Sequence, residues 1–187
     1  MTDEEITALA AREGLPPGLD ELLLRHPRNR WREDPNYGPL TEFWLEKHLG
    51  FRRMLDMLTE RTQGALDGSV DPAEHAAVLS RIGGMFLQHM HGHHSIEDEV
   101  YFPKMVRAAP KLERGFDILD RDHLRLHEEL DLFAAEANAV LQGGGRDALG
   151  TLEGGLGRLG GFLDRHLTDE EDLIVPVILE VGEGRLG

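Results

Sequence analysis

Two stretches of the chain repeat one spacing. His93, Glu97 and Pro103, and His166, Glu170 and Pro176, each set a histidine, a glutamate four residues on, and a proline six beyond that. Residues four apart on an α-helix lie one above the other, so each pair aims an imidazole and a carboxylate at one place. A helix offers two donors to a metal ion in this way. Imidazole suits Zn, Cu, Fe and Ni, and a carboxylate adds charge and can bridge two ions. Two such helices facing each other can therefore hold a two-metal centre.

Composition narrows the chemistry further. There is no cysteine, which excludes disulfides, thiolate zinc sites, cysteine-held iron–sulfur clusters and cysteine nucleophiles, and leaves nitrogen and oxygen as the donors. The 35 acidic and 20 basic side chains give a formal charge of −15, a field that repels nucleic acid and anionic membrane, so neither is expected as a partner. The opening Met1-Thr2-Asp3-Glu4-Glu5 lacks the basic-then-apolar pattern of a signal peptide, and no apolar run reaches membrane-spanning length. A cytoplasmic location is the expectation. The 187 residues suffice for one domain with a real core.

The periodicity predicts an all-α chain. Asp3 to Glu13 reads as a short amphipathic helix, and the Pro- and Gly-bearing stretch from Gly14 to Pro39 reads as irregular, so residues 1–39 form an N-terminal cover and 40–187 the main domain. Four long helices are predicted at about 40–63, 72–106, 115–142 and 147–181. Asp71 can cap the second, with Pro72 at its first position and Glu74 three residues after the cap. Gly143-Gly144-Gly145 separates the third from the fourth. Six glycines between Gly150 and Gly161 disfavour helix in the fourth, but Leu149, Leu152, Leu156, Leu159 and Leu163 keep a buried helical spacing. The glycines would then mark a close helix approach or a break near residue 155.

Short connections make successive helices antiparallel, giving an up-down-up-down four-helix bundle with an irregular N-terminal segment. The two His-Glu pairs then sit toward the ends of the second and fourth helices, so partners belong near the starts of the first and third. His48 and His123 stand there. His127 shares the face of His123 and has Arg52 as its counterpart on the first helix. The expected ligands are therefore His48, His93, Glu97, His123, His166 and Glu170 in approximate symmetry, with His127 as an extra. One metal would have three histidines and the other two, with Glu97 and Glu170 bridging and an open position on the poorer metal for a small ligand.

These residues resemble the hemerythrin-like (HHE cation-binding) domain family: a histidine on the first helix, His-x-x-x-Glu on the second and fourth, and Asp122-His123 on the third. The runs from His93 to Pro103 and from His166 to Pro176 look like the family's motifs, and the likeness spans about residues 40–181. The fourth helix carries glutamate where respiratory hemerythrins have aspartate one residue later. The resemblance implies two iron ions, oxo- or hydroxo-bridged, that bind or sense dioxygen, nitric oxide or a related small oxidant. It assigns His48 and His93 to one iron and His123, His127 and His166 to the other. The same site could instead serve an enzyme reducing peroxide or nitric oxide, or a protein repairing damaged iron centres; whether the chain is an enzyme stays open. A small diatomic or peroxide ligand is the expected partner, and the motifs identify no redox or protein partner.

Other readings fit less well. A single structural zinc needs four ligands and gains nothing from seven, and the Glu-x-x-His spacing of ferritin-like di-iron sites is absent around these histidines. A purely structural bundle acting as an interaction module leaves the repeat unexplained. His89 shares the face of His93 and is a candidate ligand. His91 and His94 are expected to face solvent or to hydrogen-bond around the site, because Leu167 stands where His94 would have its copy. His26 and His75 are expected to carry no chemistry. Asp98, Glu99, Asp120, Asp122, Asp169, Glu171 and Asp172 read as a solvated acidic surface from which one or two carboxylates orient ligand histidines. Phe43, Phe51, Met54, Met85, Phe86, Phe116, Phe133 and Phe162 read as core, Tyr101 as packed or near the metal, and Trp31, Tyr37 and Trp44 as docking the N-terminal segment.

Overall fold

The computed structural model describes residues 8, 9 and 12–186, and every regular element among them is helical. A short helix α1 (Glu21–Arg25) and a 3-10 turn (Arg28–Glu33) precede α2 (Pro39–Asp67). Next comes an uninterrupted helical run made of α3 (Pro72–Val78), α4 (Gly84–Ile96) and α5 (Phe102–Ala108), joined by wide π-helical turns at Leu79–Gly83 and Glu97–Tyr101. Helices α6 (Glu113–Leu141) and α7 (Gly145–Val181) complete the long elements. The helix expected over Asp3 to Glu13 lies largely outside the described residues. None of the described helices is long and apolar enough to cross a membrane.

Local chemistry accounts for the boundaries. Asp71 accepts from the backbone N–H groups of Ala73 and Glu74 at 2.9 and 3.2 Å, satisfying two donors that a helix start leaves orphaned. Gly143 and Gly145 adopt φ of 88° and 65°, the left-handed geometry that lets α6 end and α7 begin within three residues. Pro103 stands at the start of α5 directly after the second π turn, and Pro176 lies inside α7.

The described residues form two compact units, each built from segments distant in sequence: those up to 48 with 94–124 and 164–186 in one, and 49–93 and 125–163 in the other. In the first, Trp44, Phe102, Met105, Phe116, Leu119, Leu173 and Ile178 form the core, and Leu19 and Leu22 of the N-terminal segment join it. Trp31 packs separately on Val175 and Leu179, with Tyr37 alongside, so the cover is held by apolar burial of about 1.5–3 kcal/mol per large side chain.

In the second unit Phe86 meets Phe51 and Phe133 edge-to-face, with ring centroids 6.5 and 6.0 Å away. Leu152, Leu156, Leu159 and Leu163 are buried along one side of α7, so the glycine-rich stretch is a continuous helix after all. Gly155 leaves room for a neighbouring side chain: a Cβ there would fall 1.7 Å from the Glu136 carboxylate, which would have to shift. His75 is a core histidine against the Thr62 hydroxyl at 3.1 Å, and its burial lowers its pKa. Two residues read as core are not: Phe43 is 55 % and Met85 41 % exposed, and Phe43 instead carries Lys47 over its ring at 5.2 Å.

Candidate metal centre

All the side chains now described belong to the first unit unless stated. His48 comes from α2, His94 from α4, Glu97 from the following π turn, His123 from α6, and His166 and Glu170 from α7. None is more than 1 % exposed. His94, His123 and His166 form a trio with one ring nitrogen from each within 4.8 Å of the others. The His94 and His123 rings stack at 4.1 Å, and His166 stands edge-on to both at 5.6 and 4.9 Å.

The two carboxylates lie beside this trio. Glu97 Oε2 is 3.6 Å from His123 Nε2, and Glu170 Oε2 is 3.4 Å from His166 Nε2. The same Glu170 oxygen is 3.5 Å from His48 Nε2. Glu170 therefore stands between His166 on one side and His48 on the other. His93 is the last residue of its segment in the second unit, half-buried, with its ring 5.0 Å from Phe51, one turn ahead of Glu97 on the same helical run.

His94 corrects the sequence reading. It is fully buried as a member of the trio rather than facing solvent, and the expected extra, His127, is not in that trio. His127 lies in the second unit, half-buried, with its ring 5.2 Å from the exposed His91. The reason is angular. At 3.6 residues per turn each residue advances about 100°, so Glu97 points about 40° from His93 and about 60° from His94, between the two. Leu167 is buried at the corresponding place on α7. The internal repeat singled out His93 and passed over His94, which only one copy carries. His89 is exposed and in neither group of donors.

Outer carboxylates stand behind three of the imidazoles and hydrogen-bond to two of them. His48 Nδ1 is 3.1 Å from Glu171 Oε1, His123 Nδ1 is 2.7 Å from Asp98 Oδ1, and His166 Nδ1 is 3.6 Å from Asp122 Oδ2. The two closest acids each follow a central glutamate by one residue, Glu97-Asp98 and Glu170-Glu171, a feature both copies of the repeat carry. Asp122, Asp169 and Glu171 are buried, so much of the acidic stretch is interior rather than solvated surface. Trp44 is also central: its indole N–H donates to Glu170 Oε1 at 3.0 Å, and Tyr101 meets its ring at 4.8 Å edge-on. Tyr101 is packing here. Phe102 stacks on His123 at 5.5 Å.

The electrostatics suit a cation. Burial pulls His166 down to about 3, helped by charge on His123 and His48 and opposed by Asp122, so its imidazole is neutral with a lone pair to share. Burial pushes Glu97 up to about 8, a hydrogen bond with Glu170 opposes this, and the Asp98 charge adds to it. Two buried carboxyl groups thus meet where one proton stands in for positive charge. The Nε2 atoms of His123 and His166 are buried without a hydrogen-bond partner, which is costly unless something else takes the lone pair. Nitrogen and oxygen donors of this kind fit a transition-metal ion.

A family model described as the hemerythrin HHE cation binding domain matches residues 40–178, the region that supplies every side chain of this cluster. No curated protein and no solved structure gives a match. Helical architecture, inward histidines paired to carboxylates, and the extent of that match agree: the chain belongs to the hemerythrin HHE cation-binding domain family, whose members bind metal cations.

Proposed function

We propose that the site holds two iron ions and binds or senses dioxygen, nitric oxide or a related small oxidant. His48 and His93 serve one ion, and His94, His123 and His166 the other. Glu97 and Glu170 would be the carboxylates shared between them, and the ion with fewer histidines would be the one to take a small ligand. The long helices are read as an up-down-up-down bundle, and the protein as cytoplasmic. The observation that carries the reading is the placement of Glu170, one of whose oxygens lies 3.4 Å from His166 and 3.5 Å from His48. A carboxylate between two sets of imidazoles is a bridge for two cations, whereas a single ion needs only one set.

When bound, iron supplies reversible electron transfer to a small ligand at its open position. The protein's part is to orient and to exclude. Glu171 and Asp98 hold His48 and His123 in the tautomer that presents Nε2 inward. Trp44 fixes one oxygen of Glu170, and Phe102 covers the His123 ring, which limits water. Metal analysis and an absorption spectrum of aerobically purified protein test the reading. About two irons per chain are expected, with charge-transfer absorption lost in His93→Ala and His166→Ala and altered by nitric oxide. Protein that takes up no transition metal would end it.

A further inference from the structure

Two of the carboxylates behind the imidazoles are themselves held, and the groups holding them come from the segment before α2. Arg28 places Nη1 2.8 Å from Glu171 Oε2 and Nε 2.5 Å from Asp172 Oδ1, and donates from Nη2 to the Thr168 carbonyl at 2.8 Å. The other oxygen of Glu171 faces His48. Arg12 grips both oxygens of Asp122, with Nη1 at 3.3 Å, and donates from Nε to Asp169 Oδ2 at 2.7 Å. Asp122 stands behind His166. His123 differs, since its Asp98 is partly exposed and reaches it from the helical run itself.

Resting on the reading of the site as a metal centre, we propose that Arg12 and Arg28 are positioning residues for it. The N-terminal segment fixes Glu171, which hydrogen-bonds to His48 at 3.1 Å, and Asp122, whose carboxylate stands 3.6 Å from His166 Nδ1. Apolar burial of Leu19, Leu22 and Trp31 already docks this segment, so docking alone does not call for a buried guanidinium group at Arg12, nor for Arg28, 41 % exposed, to reach the buried Glu171. The Arg12 side chain is only 2 % exposed. Burying a charge pair is rarely a net gain in stability, whereas a rigid guanidinium fork defines where a carboxylate sits. Arg25 of the same segment shows the contrasting case, an exposed pair with Glu180 that touches nothing in the centre.

Cobalt(II) titration of the metal-free full-length protein, followed by visible absorption and calorimetry, tests this. The unaltered protein should take two ions. Arg28→Gln should weaken one of them about 10- to 100-fold and lose the bands lost in His48→Ala; Arg12→Gln should do the same with the bands lost in His166→Ala. Arg12→Lys, which keeps the charge without the fork, should fall between, and Arg25→Gln should match the unaltered protein. Circular dichroism of the metal-free forms establishes folding, and if Arg12→Gln does not fold, the Arg28 variant decides. Folded variants with unchanged affinity and bands overturn the inference alone, as does an equal loss in Arg25→Gln. An unaltered protein that binds no cobalt overturns the metal-centre reading beneath it.

Discussion

The indole N–H of Trp44 donates to Oε1 of Glu170 at 3.0 Å, while Oε2 of the same carboxylate faces two histidines. One oxygen is thereby committed to Trp44 and the other turned to the imidazoles. Trp44→Phe keeps most of the packing and removes the donor. Leaving a buried carboxylate oxygen without its partner costs about 1–3 kcal/mol, and metal affinity should fall about tenfold. Calorimetric metal titration alongside denaturant unfolding checks both.

The metal-free protein should lose stability between pH 6.5 and 8. Glu97 titrates near 4.5 when unfolded and at about 8 in the fold, so between these values the folded chain holds the extra proton and stability declines as pH rises. His166 acts oppositely and lower, with 6.5 unfolded and about 3 folded, so its contribution is lost as pH falls through that window. The slopes oppose each other where the windows overlap, and only that of Glu97 remains above 6.5. Glu97→Gln should flatten the upper limb in urea titrations at stepped pH.

Metal binding should expel that same proton. At pH 7 about one proton per chain should be released from Glu97, and the release should vanish well above the carboxyl's titration point. Calorimetry in buffers of different ionisation enthalpy reads the number directly, and a pH-independent metal affinity would count against Glu97 as a ligand.

His94 and His127 make opposite predictions. His94→Ala removes a member of a buried trio and should lower metal content by about one ion per chain, whereas His127→Ala should leave it unchanged. Elemental analysis of the two purified variants decides between them.

Glycines in α7 divide by their surroundings. Gly157 is exposed in mid-helix, and a Cβ there meets nothing within 4 Å, so Gly157→Ala should stabilise the protein by about 0.5–1 kcal/mol. Gly155→Ala should gain less or lose, because it displaces Glu136 from its 3.0 Å contact with Arg158. Thermal unfolding of the pair measures the difference.

Much of this centre was legible before any coordinates. The doubled His-Glu spacing pointed to Glu97, His166 and Glu170, and the antiparallel depth argument pointed to His48 and His123, because helical periodicity converts sequence distance into direction. His94 escaped for a related reason. Its copy is Leu167, and a symmetry argument rejects a residue that only one copy carries. The π turn at Glu97–Tyr101 leaves no signature in residue type either. In sequence Arg12, at the end of the expected short helix, and Arg28, in the irregular stretch, look like ordinary surface cations. Only tertiary structure shows that their partners, Asp122 and Glu171, 110 and 143 residues away in the chain, lie behind His166 and His48.

Each long helical run that offers a central glutamate also carries, one residue later, the acid that braces a histidine belonging to a different helix: Asp98 for His123, and Glu171 for His48. Inner donor and outer brace therefore share a backbone and turn as one. A small rotation of α7 about its axis would shift Glu170 and misalign His48 together, with no way to correct one apart from the other. Retuning such a centre for a different ion would thus demand paired changes on two helices, and single substitutions would meet resistance from both layers at once.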